Sequence, residues 1–74
     1  MASLPRLSGR EVVKVFASFG WEEARQRGSH VILAQEGHPA TLSVPDHKEV
    51  AIGTLRSLIR SAGLTVEQFV DAVR

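Results

Sequence analysis

The residues of this chain best suited to chemistry form a glycine–serine–histidine turn, Gly28-Ser29-His30. Arg25 and Arg27 precede the turn, and an apolar run begins directly after it at Val31. A histidine side chain titrates near neutral pH, and an arginine binds phosphate oxygens through a fork of parallel hydrogen bonds. These residue types in this order predict a site that transfers a proton beside a bound phosphate. The alternative is a half-buried histidine that hydrogen-bonds a backbone carbonyl group and does no chemistry.

Cleavage of RNA is one reaction that such a site can perform without a metal. RNA carries a 2′-hydroxyl group beside each phosphate, and this group is an internal nucleophile once it is deprotonated. A histidine can act as the base or the acid, and arginine or lysine side chains can stabilise the charge that develops on the phosphate. The three histidines and eight Asp and Glu residues lack the close spacing of a metal site. The sequence therefore predicts no metal and no cofactor.

Length and composition predict one small domain over residues 1–74, monomeric when free. The chain is 43% hydrophobic and 23% charged, which is typical of a folded globular protein. It has no cysteine, which excludes disulfides and thiolate metal sites and favours a cytoplasmic location. No apolar run is long enough to cross a membrane, and residues 1–6 lack the apolar core of a signal peptide. The net charge is only +1, so binding to nucleic acid requires a local basic patch.

Helix signals mark the two ends of the chain. A capping box over residues 8–11 begins a helix over about residues 9–19. A second helix opens at residues 53–54 and stops at Gly63, and a capping box over residues 65–68 begins a short last helix. The expected inward-facing residues are Val12, Val13, Phe16, Ala17 and Phe19 in the first helix, Leu55, Leu58, Ile59 and Ala62 in the second, and Phe69, Val70 and Val73 in the last.

Three strands are predicted between the first two helices. They cover residues 21–27, 29–35 and 40–44, and an irregular segment over residues 46–52 follows them. The first strand has poor apolar alternation, which indicates an edge strand, whereas the third alternates cleanly. Strand parity places His30 and Ile32 on one face of the sheet and Val31 on the other. Arg25 and Arg27 also share a face, because they are two residues apart.

This order of elements predicts an α+β fold of the α-β-β-β-α type, with a short extra helix at the C-terminus. A three-stranded antiparallel sheet then carries its helices on one face, as in the double-stranded-RNA-binding domain. Topology of this kind does not by itself identify a function. The expected core between sheet and helices contains Val12, Phe16, Leu42, Val44, Leu55, Leu58, Ile59 and Phe69.

Several short segments in a fixed order carry a more specific resemblance. After the capped first helix they are Phe19-Gly20-Trp21, Arg25-Gln26-Arg27-Gly28-Ser29-His30, Val44-Pro45-Asp46-His47, the stretch over residues 52–59, Ala62-Gly63-Leu64-Thr65 and Glu67-Gln68-Phe69. Over about residues 8–70 the chain resembles the HicA (YcfA-like) family of toxins. Members of this family cut messenger RNA in bacterial and archaeal toxin–antitoxin systems.

The resemblance implies an endoribonuclease with a double-stranded-RNA-binding-domain-like fold that arrests translation and growth. The family's catalytic histidine lies in the Gly-Ser-His turn and corresponds to His30. The histidine that follows Val-Pro in the family corresponds to His47. The family also implies a partner, a HicB-like antitoxin that binds the toxin in a hetero-oligomer and masks its active site.

Other residues are candidate RNA contacts, each with a purely structural alternative. The candidates are Arg25, Arg27, Gly28, Ser29, His47, Lys48, Thr54 and Arg56. Charged residues on an edge strand also prevent aggregation, and Arg56 with Arg60 also fits a solvated helix face. His47 either caps the third strand or binds a phosphate, and Ser29 either hydrogen-bonds the turn or the substrate. His38, at a hairpin tip, is expected to be solvated, and Trp21 to belong to the core.

Two other classes of function remain open from the residues alone. A non-catalytic RNA-binding module would keep the basic patch and tolerate the loss of His30. A protein-interaction domain of the same fold would need neither His30 nor the arginines beyond their effect on stability. Glu22, Glu23 and Glu36 add negative charge near the strands, so RNA binding is expected to be weakened.

Overall fold

The elements follow one another in the predicted order. The computed structural model describes residues 3–73; Met1, Ala2 and Arg74, which the predicted domain of residues 1–74 includes, lie outside the described residues. Within residues 3–73 the elements are α1 (Gly9–Ala17), β1 (Glu22–Arg27), β2 (His30–Ala34), β3 (Leu42–Pro45), α2 (Ile52–Ser61) and α3 (Val66–Val73). In this range no helix combines the length and apolar character that a membrane span needs.

The strands form one antiparallel sheet in the order β1-β2-β3. This confirms the predicted α+β fold and the edge position of β1. A two-residue turn, Gly28-Ser29, joins β1 to β2. Gly28 has φ +57°, a left-handed conformation that glycine adopts without the steric cost of a Cβ atom. The turn therefore brings Arg27 and His30 directly opposite each other in the ladder.

Both predicted capping boxes are present. The Glu11 N–H donates to Ser8 Oγ at 3.1 Å, and the Ser8 N–H donates to Glu11 Oε1 at 2.8 Å. Thr65 and Gln68 make the same reciprocal pair of bonds at 3.0 and 2.8 Å. Helix α1 ends at Ala17, somewhat before the predicted residue 19, and a turn over residues 18–20 follows it.

One apolar cluster fills the space between the sheet and the helices. All eight residues of the expected core belong to it, and Trp21 joins them. Since α1 and α2 both contact β3 from the side of this cluster, the prediction that the helices pack on one face is confirmed. The expectation for Ala17 was wrong, because Ala17 is exposed and Val15 takes its place beside Val12 and Phe16. Spacing of three and four residues from Val12 puts these side chains on one helix face.

Two departures from the sequence predictions come from contacts distant in the chain. Val50 is buried although it lies in the irregular segment, because its N–H donates to the Leu7 carbonyl oxygen at 2.8 Å and both side chains join the core. His38 is half-buried and not simply solvated, which corrects the expectation. Its ring lies 4.8 Å from that of Trp21, and its Nδ1 accepts a hydrogen bond from the Ala40 N–H.

Candidate functional site on the open face of the sheet

The face of the sheet that the helices leave open carries a groove. We call it the sheet groove; a volume of about 390 Å³ is lined by Arg25, Arg27, His30, Ile32, Thr41 and Ser43. Strand pairing explains this set, because Arg27, His30 and Pro45 form one cross-strand row and Arg25, Ile32 and Ser43 form the next. The intervening row of Gln26, Val31 and Val44 points to the helices. The predicted parity of His30 and Ile32 is therefore confirmed.

A β-bulge in β1 decides which charges face the groove. Simple alternation would place Glu23 on the same face as Arg25 and Arg27. The register shifts between Glu23 and Arg25, so that Glu23 pairs with Leu33 on the helix side and Arg25 pairs with Ile32 on the groove side. Such a bulge inserts one extra residue, here Ala24, and re-aims the side chains that follow it. The bulge moves Glu23 to the helix side and places Glu22, opposite Ala34, on the groove face one row beyond Arg25. Both arginines remain on the groove face.

Arg10 lies beside two acidic side chains, Glu23 of β1 and Asp46 after β3. Its guanidinium lies 3.5 Å from Glu23 Oε1 and 3.4 Å from Asp46 Oδ2, and it donates to Gln26 Oε1 at 3.5 Å. These contacts are long and partly exposed, so they contribute little to stability individually. The positive charge of Arg10 offsets the negative charge of Glu23 and Asp46, which lowers the negative potential that these carboxylates produce at the neighbouring groove.

The turn before His30 is fixed by backbone hydrogen bonds. The Asp46 N–H donates to the Ser29 carbonyl oxygen at 2.7 Å, and the Gly9 N–H donates to the His47 carbonyl oxygen at 2.9 Å. A Cβ atom on Gly9 would collide with the carbonyl oxygen of Pro45, so the start of α1 packs directly on the end of β3. The segment after β3 thus links α1 to the turn that carries His30.

The predicted site residues are brought together only in part. Arg25, Arg27 and His30 share the groove, and Gly28 and Ser29 form the turn at its end. His47 and Lys48 are exposed just beyond Pro45, the residue opposite His30, but their side chains are not part of the groove lining.

The two helix candidates lie apart from the groove. Thr54 is half-buried in the first turns of α2. Arg56 lines a separate hollow with Arg60, between α2 and α3 on the helix side of the sheet. The structure therefore does not bring Arg56 to His30.

Thr41 and Ser43 are groove residues that the sequence argument missed. Both are exposed on β3 or just before it, and Ser43 pairs with Ile32. The signal was present in the alternation of Leu42 and Val44 with two small hydroxyl residues. The same alternation that predicts a half-buried strand also places the Thr41 and Ser43 hydroxyl groups on its outward face.

The groove suits an anionic ligand. Among residues 3–73, the arginines that form ion pairs are Arg6 and Arg10. Neither Arg25 nor Arg27 has an acidic partner in this range. Both arginines and His30 are exposed. In the same range, no group of three or more His, Asp or Glu side chains is arranged to hold a metal ion. The residues present can bind a phosphate and move a proton beside it.

Comparison with known proteins finds similarity to a family model and to solved structures. A family model described as the HicA toxin of bacterial toxin–antitoxin matches residues 9–64. A solved chain from a toxin–antitoxin complex of Streptococcus pneumoniae is 29% identical and superposes with a TM-score of 0.70, covering 78% of this chain and 98% of that chain. No curated protein sequence matches this chain. The matched range of the family model contains all three strands and the sheet groove.

Proposed function

This chain belongs to the HicA toxin family of bacterial toxin–antitoxin systems, and from that premise we propose that it is an endoribonuclease that cuts messenger RNA in the sheet groove. The toxin role follows from the family. The reaction, the substrate and the residues are our proposal, and they rest mainly on one observation. His30 lies on an open sheet face directly opposite Arg27, with Arg25 in the same groove.

In the proposed reaction, the arginines bind the phosphate and His30 moves a proton. The 2′-oxygen of the RNA attacks the neighbouring phosphorus, its proton leaves, and the bond from phosphorus to the 5′-oxygen breaks. The products are a 2′,3′-cyclic phosphate and a 5′-hydroxyl end. His30 either accepts the 2′-hydroxyl proton or donates a proton to the leaving 5′-oxygen, as a histidine near neutral pH can do. Arg25 and Arg27 stabilise the charge that develops on the phosphate oxygens.

The position of these groups on strands supports the proposal. Directly opposite residues of neighbouring strands lie about 5 Å apart, so Arg27 and His30 can contact one phosphate together. Backbone bonds on both strands hold them, and the turn between them is tied to the segment after β3. Groups held in this way need little rearrangement before the reaction. His47 and Lys48 extend the same end of the groove and are the next candidates for phosphate contacts.

We further propose that a HicB-like antitoxin covers the groove and forms a hetero-oligomer with this chain. The groove lining contains two arginines and a histidine and no carboxylate, so an acidic or shape-matched partner surface would fit it. The similar solved chain comes from a complex that is named as toxin and antitoxin. Because messenger RNA is the proposed substrate, the proposed place of action is the cytoplasm.

The alternative is a non-catalytic module of the same fold that binds RNA or another protein. The unpaired arginines favour RNA over a neutral protein surface. A catalytic role differs from both because it requires His30 specifically and the 2′-hydroxyl of the substrate.

The nature of the reaction can be tested on the purified wild-type protein. We expect a long RNA to be cut in the presence of EDTA, with cyclic phosphate ends, and the same RNA carrying 2′-O-methyl groups to stay intact. Cleavage of the methylated RNA, or dependence on a divalent metal, would contradict attack by the 2′-oxygen. If neither RNA is cut, the catalytic proposal fails and the non-catalytic alternative replaces it.

A further inference from the structure

Two hydroxyl groups of the sheet groove have no part in the proposed proton transfer. Thr41 and Ser43 lie on the third strand side of the groove, and both are exposed. A hydroxyl group both donates and accepts hydrogen bonds, so it can pair with the polar edge of any nucleobase. Because Thr41 and Ser43 share the groove with His30, they would lie close to another part of an RNA whose phosphate is bound at His30.

The groove has two rows of different chemistry. The first row, Arg27–His30–Pro45, holds the groups proposed for the phosphate, and the second row is Arg25–Ile32–Ser43. The rows are two residues apart along the strands, which is about 7 Å. A nucleoside attached to a phosphate in the first row therefore extends over the second row, or away from the groove altogether.

Ile32 makes the second row suitable for a base. Its side chain is 7% exposed, yet it lies outside the main core cluster, because it faces the groove and not the helices. Ile32 lies between Arg25 on one neighbouring strand and Ser43 on the other, so its apolar side chain is flanked by a guanidinium group and a hydroxyl group. The faces of nucleobases are apolar and stack on arginine planes, whereas their edges form hydrogen bonds. In the second row, Arg25 and Ile32 can contact the face of a base, and the Ser43 hydroxyl can form a hydrogen bond with its edge.

We propose that Arg25, Ile32, Ser43 and Thr41 form a nucleobase site, which holds one unpaired base of a single-stranded RNA next to the phosphate at His30. The inference rests on the proposed function and adds the form of the substrate. The base has to leave its stack to reach the floor of the groove, so a continuous duplex does not fit. Hydroxyl groups discriminate weakly among bases, so the site selects an unpaired base more strongly than a particular one.

Binding measurements with His30→Ala protein test the site without cleavage. The probe is a fluorescein-labelled single-stranded RNA of fixed sequence, and the comparison is the same strand with one abasic nucleotide placed at each position in turn. We expect one abasic position to lower the affinity by roughly 3- to 10-fold, the effect of losing a hydrogen bond of ordinary strength. Adding Thr41→Val and Ser43→Ala should lower the affinity for the intact strand and make the abasic effect smaller, because only the contacts of Arg25 and Ile32 with the base remain.

A matched control separates the site from general effects of serine removal. Ser57→Ala removes an exposed hydroxyl from α2, outside the groove, and should leave the affinity unchanged. A perfect RNA duplex of the same length should bind less tightly than the single strand. Equal affinity for abasic and intact strands, or for single strand and duplex, would overturn the nucleobase site.

The outcomes also distinguish this inference from the proposed reaction. RNA cleavage by the wild-type protein without any effect of the abasic positions or the hydroxyl variants would leave the reaction standing and remove the base site. Base-dependent binding without cleavage by the wild-type protein would support the site and contradict the reaction. Absence of RNA binding would contradict both.

Discussion

The backbone N–H of Asp46 donates a 2.7 Å hydrogen bond to the carbonyl oxygen of Ser29. Ser29 belongs to the turn that precedes His30, and Asp46 is the first residue after β3. This bond closes the end of the sheet groove, because it joins the β1–β2 turn to the segment that carries His47 and Lys48. The position of His30 therefore depends on a contact with a segment that lies after β3 in the chain.

Gly9 should be the glycine whose replacement disturbs this end of the groove most. In Gly9→Ala, the added methyl group meets backbone atoms of Pro45 and Asp46 that cannot move without shifting β3. Overpacking of this kind costs about 1–3 kcal/mol of the free energy of unfolding, measurable by urea denaturation. Gly53→Ala is the matched control, since nothing lies within 4 Å of its Cβ position in α2, and it should stabilise the protein by about 0.5–1 kcal/mol. Equal effects of the two variants would contradict the close approach of α1 and β3.

Arg27 should contribute to RNA binding through one phosphate contact. Arg27→Ala should weaken binding, and the slope of log affinity against log salt should fall by about 0.7, the value for one contact to a single strand. Arg60→Ala removes the same charge from the helix side of the sheet and is the control. The measurement is a salt titration of RNA binding for the wild type and both variants. The same loss in both variants would show that total charge, and not the groove, governs binding.

Arg10 should affect RNA affinity without touching RNA. Arg10→Gln leaves Glu23 and Asp46 without their cation, so the negative potential near the groove rises and binding weakens. Exposed charges are screened within about 10 Å at 0.1 M salt, so the difference from the wild type should shrink at higher salt. RNA affinity measured at two salt concentrations checks this. A loss that stays constant with salt would indicate instead that Arg10 positions the groove mechanically.

The capping box of α1 should make stability depend on acid pH. The pKa of Glu11 lies below its ordinary value of 4.5, chiefly because its carboxylate accepts the Ser8 backbone N–H, and further because of the Ser8 side chain and Lys14. A lowered pKa means that the carboxylate stabilises the fold above the ordinary pKa and that this contribution is lost as the pH falls through the lowered value. Urea midpoints between pH 6 and pH 3 should therefore fall more for the wild type than for Glu11→Gln. Parallel curves would contradict the role of the charged cap.

Features set by neighbouring residues could be predicted from the sequence. Ser8 with Glu11 and Thr65 with Gln68 are three residues apart, and their bonds form whenever a helix starts there. The shared face of Arg25, Arg27 and His30 also follows from short-range alternation across a tight turn. These local rules were enough to assemble the central part of the groove.

Features that depend on distant partners could not be predicted. The bulge at Ala24 depends on which residue of β2 faces Glu23, and alternation along β1 alone gives the wrong face for that carboxylate. Arg10 and Asp46 are 36 residues apart in the sequence, and the residues around each of them give no indication that the two are in contact. The position of Arg56 on the helix side depends on how α2 crosses the sheet. Such contacts are set by the packing of whole elements.

The most direct test of the account is the rate at which His30→Ala protein cuts RNA under single-turnover conditions, with folding checked by circular dichroism. We expect a folded protein whose cleavage rate is about 10²- to 10⁴-fold below that of the wild type, the usual effect of losing a proton-transfer group. His38→Ala, which removes a histidine packed on Trp21 outside the groove, should cut at the wild-type rate once folded. A wild-type rate from folded His30→Ala protein would contradict the account and leave His30 as a structural residue of the turn.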